Sequence, residues 1–343
     1  MANMMNIEKT SLIPSWQQEL QSAFTSIDEL LCFLELNIDD LSLHYKAAKN
    51  FPLLVTQSYA QRIKKSDWND PLLRQVLPHP EELEKHPAYL NDPVGDNQAS
   101  ISPGLLHKYY GRILLVSTGA CAIHCRYCFR REFPYADNSA HRSQIGIIKQ
   151  YLTDHPEVTE VILSGGDPLT LSDSKLQLLF ELFENQPQIE RIRIHTRLPV
   201  VLPSRITKQL LNILSSTNKK VIVVIHANHS NELNDNVSNT LLSIKAIGVT
   251  LLNQTVLLRG VNDDADTLIE LSHRLFNCHT LPYYLHVLDK VTGTMHFDST
   301  RHHVFDIYNQ IQQSLPGYLV PKLVCEEAGK PHKTLLTTNV QNY

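Results

Sequence analysis

The fold is decided by the stretch Ser117-Thr118-Gly119-Ala120-Cys121-Ala122-Ile123-His124-Cys125-Arg126-Tyr127-Cys128-Phe129-Arg130-Arg131. It contains three of the six cysteines of the chain, spaced C-x3-C-x2-C at Cys121, Cys125 and Cys128. It directly follows an apolar run at 113–116, which is typical of a buried strand. The cysteines are therefore predicted on a loop at the C-terminal end of a strand, where α/β barrels carry their chemistry.

Three thiolates on one short loop suit an iron–sulfur cluster, zinc or copper(I), because these metal centres prefer soft sulfur ligands. A structural zinc site typically has four ligands in C-x2-C pairs, whereas this chain has one such pair. His124, the nearest candidate for a fourth ligand, lies between the cysteines. A third alternative is that the three cysteines are inert core residues. The neighbouring Arg126, Arg130 and Arg131 argue against it, because arginine is rarely found in an apolar core. The pattern favours a 4Fe–4S cluster, in which one iron stays free to bind another ligand.

Composition limits the class of protein. The chain has 343 residues, of which 42% are hydrophobic and 19% charged, as in a globular protein of one or two domains. A formal net charge of −4 gives no general attraction to nucleic acid or to an anionic membrane. No apolar run approaches the roughly 20 residues that span a bilayer, and residues 1–15 lack the apolar core of a signal peptide. A cytoplasmic location is expected.

Residues 1–95 are predicted to form a helical N-terminal region and a Pro-rich connector. Ser26 has the pattern of a helix cap, with Glu29 completing a capping box. Further helices are predicted at 41–48 and 57–64. Five prolines between 71 and 93 interrupt regular structure. We interpret this region as a cap without a chemical role.

Residues 96–315 alternate between strand and helix patterns. The predicted strands are 113–117, 160–163, 191–196, 221–226, 249–258 and 283–288. The predicted helices are 143–152, 173–183, 205–214, 237–246, 267–276 and 305–313. Six strand–helix units in succession indicate parallel crossovers, and hence an α/β fold with a partial (β/α)6 barrel. Residues 316–343 form a C-terminal segment in which extended stretches at 319–325 and 334–338 flank a polar turn.

The cysteine spacing, with an aromatic residue before the last cysteine, resembles the radical S-adenosylmethionine (SAM) superfamily. The continuation Cys128-Phe129-Arg130-Arg131 narrows the resemblance to the lysine 2,3-aminomutase family, and similar motifs extend over residues 100–340. The resemblance implies a radical SAM partial barrel with three cofactors: the 4Fe–4S cluster, SAM bound to its free iron, and pyridoxal 5′-phosphate (PLP).

The resemblance also assigns residues to the cofactors. Gly165, Gly166 and Asp167, in the Gly-Gly-Asp-Pro motif after the second predicted strand, contact SAM, as do His226 and Gln254. PLP is bound covalently by Lys333, with Lys330 as a competing candidate because the segment is less Gly-rich than is usual. The remaining residues around PLP are Arg112, the expected phosphate ligand, Tyr109 and Lys108.

The substrate residues follow in the same way. Arg130 is expected to bind the carboxylate of lysine, and Asp289 its distal ammonium. Glu326 stands where the free-lysine enzymes have a second aspartate for that ammonium. His286 replaces an aromatic hydroxyl near the cofactor. The zinc site that those enzymes build on a longer C-terminus is expected to be absent, because this sequence stops at Tyr343.

The resemblance is strongest to the short branch of the family, which serves elongation factor P. It implies isomerisation of (S)-α-lysine to (R)-β-lysine, which a lysyl-tRNA-synthetase-like ligase attaches to the factor. An external electron donor is the further partner, and neither nucleic acid nor a membrane is expected. Two alternatives remain: a free-lysine 2,3-aminomutase that releases β-lysine as an end product, and a non-catalytic iron–sulfur scaffold or sensor.

Overall fold

The computed structural model describes residues 15–37, 40–135 and 145–337. The α-helices are α1 (Trp16–Gln21), α2 (Ile27–Phe33), α3 (Ser42–Asn50), α4 (Gln57–Ala60), α5 (Pro71–Arg74), α6 (Ile145–Asp154), α7 (Asp173–Glu184), α8 (Leu198–Val201), α9 (Lys208–Ser215), α10 (Asp235–Ala246), α11 (Ala265–Asn277) and α12 (Arg301–Ser314). The strands are β1 (Ser100–Ser102), β2 (Leu105–Tyr109), β3 (Arg112–Thr118), β4 (Glu160–Gly165), β5 (Arg191–Thr196), β6 (Lys220–His226), β7 (Thr250–Val256), β8 (Leu281–His286), β9 (Lys322–Cys325) and β10 (Thr334–Leu335).

All ten strands form one sheet, in which their order is the order of the sequence. Strands β3 to β9 pair in parallel, while β1 and β2 at one edge and β10 at the other pair antiparallel. The six predicted parallel strands are confirmed as β3 to β8. The hairpin of β1 and β2 was not predicted, and the two extended stretches of the C-terminal segment join the same sheet as β9 and β10. Thr338, the last residue predicted as extended, lies outside the described residues.

The sheet curves around a large cavity. In β6 the side chains of Val221, Val223 and Ile225 are buried, whereas Ile222 lines the cavity. Strands β2 to β10 each contribute residues to the lining, and the cavity volume is about 950 Å³. Because successive side chains of a strand point to opposite faces, one face of the sheet surrounds the cavity and the other packs under the helices.

Capping side chains begin the helices that cover the outer face. Their side-chain oxygen accepts a hydrogen bond from the backbone N–H three residues on, as expected for an N-cap; the capping residues are Ser172, Thr207, Asn234, Asp264 and Thr300. The predicted barrel helices are confirmed with small shifts of their ends, and the start of the one predicted at 143–152 lies outside the described residues. Among the helices described, none is long and apolar enough to cross a membrane.

The helix predicted at 57–64 is wrong beyond Ala60, where α4 ends. The backbone N–H of Lys64 donates to the Asp70 carboxylate at 3.0 Å, so a side chain replaces the helical acceptor. The cap at Ser26 is confirmed, since its hydroxyl accepts from the N–H of Glu29 at 3.5 Å. The return bond from the Glu29 side chain is not among the contacts of the described residues, so the capping box is half formed.

Candidate active site

The cysteine loop follows β3 and is held by the N-terminal region. The N–H of His124 donates to the carbonyl of Leu54 at 2.9 Å, and the N–H of Arg126 donates to the carbonyl of Gln75 at 2.9 Å. The ring of His124 also stacks on Phe51 with centroids 5.0 Å apart. The loop therefore takes its conformation from residues that lie more than forty positions earlier.

A buried ion cluster strengthens this attachment. Glu82 accepts from Nε and Nη2 of Arg126 at 2.8 and 2.5 Å and from Arg131 at 2.9 Å. Burial alone would raise the pKa of Glu82, but the two guanidinium groups outweigh it and hold that pKa below its usual value. Residues 1–95 therefore support the cysteine loop structurally, and their interpretation as a cap without a chemical role stays a prediction.

Glu82→Gln is expected to loosen this support. Removing one partner of a buried ion pair leaves an uncompensated charge and costs about 3–5 kcal/mol. The thermal midpoint of unfolding and the iron content after anaerobic reconstitution should both fall. Glu81→Gln is the matched control, because Glu81 is exposed and surface changes typically stay within about 0.5 kcal/mol. Equal iron content in the two variants would contradict the role of Glu82.

The Gly-Gly-Asp-Pro motif packs directly against the cysteine loop. Gly165 has a φ of 117°, and the N–H of Gly166 donates to the carbonyl of Thr118 at 2.7 Å. The Asp167 carboxylate accepts from the Thr196 hydroxyl and the backbone N–H of Arg197, both at 2.7 Å. Burial raises the pKa of Asp167 to about 6, although these hydrogen bonds lower it. The carboxylate thus ties the motif to the end of β5, and both glycines and Asp167 line the cavity.

Gly166→Ala is expected to displace the cysteine loop. A Cβ atom at this position would overlap the backbone of Ala120 and Gly119, and overpacking of this kind costs about 1–3 kcal/mol. Gly146→Ala is the matched control, since a Cβ there has no atom within 4 Å. We expect Gly166→Ala to lose most of its bound iron and Gly146→Ala to keep it; iron retained in both would show that the close approach is dispensable.

The three thiols suit a cluster better than a single ion. Burial and the neighbouring thiols raise the pKa of Cys121 above its usual value, and burial raises that of Cys128 to about 11; a bound metal reverses this by deprotonating its ligands. Within 15–37, 40–135 and 145–337, no three His, Cys, Asp or Glu side chains are placed to hold one ion. Cysteines that bind different irons of a cluster need not meet at one point, so the donor set fits the 4Fe–4S group.

Five charged side chains alternate in sign along the cavity wall, and we call them the charge chain. Arg130 donates from Nε to Asp96 at 2.7 Å. Lys108 contacts Asp96 at 2.5 Å and Glu326 at 3.0 Å. Glu326 pairs in turn with Lys333. The charge chain connects Arg130, predicted to bind the substrate carboxylate, with Lys333, predicted to bind PLP.

The pKa values of two carboxylates at the Lys333 end are shifted in opposite directions. Burial opposes ionisation of Glu326, but the ammonium groups of Lys333 and Lys108 outweigh it and lower the pKa of Glu326 to about 2. Burial, aided by repulsion from Glu326, raises the pKa of Asp289 to about 7. Asp289 has no hydrogen-bond donor on its carboxylate within the described parts of the chain. Asp289 lines the cavity, where its carboxylate is placed to pair with a bound cation.

Cavity-lining histidines mark where ligands fit. His226 lies 3.1 Å from Gln254, measured between the side-chain nitrogens, and burial lowers the pKa of His226 to about 4. The Nε2 atoms of His195 and His286 are buried and have no partner among the described residues. Since buried polar atoms are nearly always hydrogen-bonded, these neutral imidazoles fit polar ligands in the cavity.

The residues predicted around PLP also meet in this cavity. The Arg112 guanidinium lies 4.7 Å from the ring centroid of Tyr109, and both residues line the cavity together with Lys108 and Lys333. An amine and a guanidinium facing one space fit an aldehyde that carries a phosphate. Lys330 is exposed and is not part of the cavity lining, which favours Lys333.

Sequence reasoning missed the residues that hold the site from elsewhere in the chain: Gln75, Glu82, Asp96, Arg197 and Glu232. Arg197 carried a signal, since it directly follows β5 at the edge where the other site residues lie. Asp96, in the turn before β1, carried none that distinguishes it from an ordinary polar turn residue.

The sequence of the chain is similar to those of known radical SAM proteins. The model of the radical SAM superfamily matches residues 115–271. An L-lysine 2,3-aminomutase of Buchnera aphidicola subsp. Baizongia pistaciae is 44% identical over 329 residues, 95% of this chain and 96% of the relative. The L-lysine 2,3-aminomutase of Escherichia coli K12 is 44% identical over 94% of each chain, and that of Clostridium subterminale is 34% identical over 94% of this chain and 78% of the relative. The chain therefore belongs to the lysine 2,3-aminomutase family of radical SAM isomerases.

Proposed function

We propose that the protein isomerises (S)-α-lysine to (R)-β-lysine with SAM, a 4Fe–4S cluster and PLP, and that the product serves the modification of elongation factor P. One observation carries the proposal: the cysteine loop and Lys333 line the same cavity. Its volume of about 950 Å³ is at the upper end for small-molecule sites, about 300–1,000 Å³. That volume suits a substrate together with cofactors.

The residues of the chain bind and orient the reactants. Arg130 binds the substrate carboxylate, and its guanidinium is held in position by the hydrogen bond from Nε to Asp96. Asp289 and Glu326 receive the distal ammonium, which fixes the length of the amino acid as well as its charge. When bound, the cluster with SAM supplies a radical that removes hydrogen from the substrate, and PLP supplies the conjugated system that stabilises the rearranging radical. The surrounding barrel excludes water from this chemistry.

The link to elongation factor P rests on the similarity to the shorter relatives. The chain is 44% identical to the Buchnera and Escherichia coli proteins and matches 96% and 94% of their lengths. Identity to the Clostridium subterminale enzyme is 34%, over 78% of that enzyme. The resemblance also implies that Glu326 and His286 stand where the free-lysine enzymes have other residues.

The proposal is tested by anaerobic incubation of the reconstituted protein with SAM, PLP, a reductant and lysine, followed by mass spectrometry. We expect β-lysine, and no β-lysine from Cys121→Ala, Cys125→Ala or Cys128→Ala. A second reaction adds elongation factor P and a lysyl-tRNA-synthetase-like ligase, and a β-lysyl adduct on the factor is expected. β-Lysine without an adduct would favour the free-lysine alternative, and a bound cluster without β-lysine would favour the scaffold or sensor.

A further inference from the structure

Arg197 connects the cysteine loop to the buried side chains of Glu232 and Gln75, and none of these three residues has a role in the proposed chemistry. Arg197 directly follows β5, and its side chain is 6% exposed. Its Nη1 donates to the sulfur of Cys125 at 2.7 Å. A buried guanidinium therefore faces one of the three sulfurs predicted to bind iron.

Two neighbours fix the direction of that guanidinium. Its Nη2 donates to Oε2 of Glu232 at 2.9 Å and to Oε1 of Gln75 at 2.7 Å. Glu232 is fully buried and accepts from the backbone N–H of Asn228 at 2.8 Å. These hydrogen bonds hold Nη2 on the side of Glu232 and Gln75 and leave Nη1 directed at Cys125.

Two aromatic rings flank the guanidinium on its protein side. The Arg197 guanidinium lies 5.4 Å from the ring centroid of Tyr59 and 5.7 Å from that of Tyr127. Tyr59 is fully buried. The contact with Cys125 is partly buried, and partly buried charges are screened less than surface charges. The positive charge of Arg197, reduced by its pairing with Glu232, therefore acts on the sulfur more strongly than a surface charge would.

We propose that Arg197 is a positioning residue that sets the reduction potential of the cluster. Reduction transfers one electron from an external low-potential donor to the cluster, whose core charge falls from 2+ to 1+, and no bond to the protein is made or broken. The added negative charge is stabilised by an N–H···S hydrogen bond and a neighbouring cation, which raises the potential. Glu232 opposes this effect through its negative charge. The inference rests on the proposed function, since it requires the cluster.

The test is a redox titration of the reconstituted holoprotein, monitored by electron paramagnetic resonance, with iron and sulfide content measured in parallel. Arg197→Gln is expected to shift the potential to more negative values, because the cation is lost. Glu232→Gln is expected to shift it to more positive values, because the opposing charge is lost. Arg197→Lys keeps the charge without the planar fork, and its potential should lie between those of Arg197→Gln and the unchanged protein.

Arg205→Gln is the matched control. Arg205 is also fully buried and pairs with a carboxylate, Asp173, at 2.8 Å, but it donates to the carbonyls of Leu169 and Leu171 rather than to a thiol. It should lose stability without a shift in potential. Opposite shifts in Arg197→Gln and Glu232→Gln are what a purely structural role does not produce.

Unchanged potentials, or shifts of one sign in both variants, would overturn the inference. Loss of the cluster from all three site variants while they stay folded by circular dichroism would also overturn it, by showing that Arg197 builds the site rather than tunes it. Failure of the unchanged protein to take up a 4Fe–4S cluster would instead refute the proposed function.

Discussion

Lys333→Arg is expected to abolish β-lysine formation and covalent retention of PLP. Arginine keeps the positive charge and its pairing with Glu326, but a guanidinium does not react with the aldehyde of PLP as an amine does. The ion pair between Lys333 and Glu326 must open before the amine is free, since an amine attacks only when it is neutral. The measurement is borohydride reduction followed by peptide mass spectrometry, in which the unchanged protein should carry the pyridoxyl mass on Lys333.

Lys330→Arg separates the two candidate lysines. Lys330 is exposed, and Pro331 after it restricts its backbone to extended conformations. This variant should keep both the pyridoxyl label and turnover. A label on Lys330, or on neither lysine, would refute the assignment, and the second result would also weaken the case for PLP.

Asp289→Asn is expected to weaken productive binding of lysine by about 2–5 kcal/mol, the range for truncating a buried charged contact. That corresponds to about 30-fold to a few thousand-fold in affinity. The amide keeps the shape of the side chain and removes the charge that pairs with the distal ammonium. Isothermal titration of the PLP-loaded protein with lysine in the absence of SAM measures the loss; unchanged affinity would remove Asp289 from the substrate site.

The pH dependence gives an internal control for the same residue. Because the pKa of Asp289 is raised to about 7, lysine affinity of the unchanged protein should fall as pH decreases through 7, and this step should be missing in Asp289→Asn.

The contribution of Asp289 to the stability of the fold has the opposite pH dependence, because it falls as pH rises. The native state binds more protons than the unfolded chain between the usual pKa of 3.8 and about 7, so stability from this group is lost as pH rises through 7. Asp289→Asn should therefore melt at a higher temperature than the unchanged protein at pH 8; a lower midpoint would contradict the raised pKa.

The parts of the molecule that local sequence patterns specify could be predicted. Strands β3 to β8 are short β-branched or alternating runs that separate helical patterns, and the spacing of the cysteines is a property of a single loop. The partners of that loop could not be predicted, because Gln75 and Glu82 reach it from elements remote in the sequence, and Glu232 acts on it only through Arg197. Buried polar pairs leave no periodic signal: Glu82 and Arg126 resemble surface residues until the fold brings them together.

The protonation of the site could not be predicted either. Asp289 and Glu326 are both carboxylates at strand ends, and the sequence gives no reason to separate them. The structure does, since Lys108 and Lys333 both contact Glu326, whereas Asp289 is partly buried and has no such ion pair among the described residues. Environment, rather than residue type, determines which carboxylate is charged.

The two ends of the sheet have a consequence for how copies of this chain meet. A ten-stranded open sheet has two edges, and long exposed edges are templates for pairing with another chain. Here the edge strands are β1 with three residues and β10 with two, too short to present a row of unpaired backbone groups. In the described part of the molecule, any association between copies should therefore use side-chain surfaces, and backbone strand addition across these edges is disfavoured.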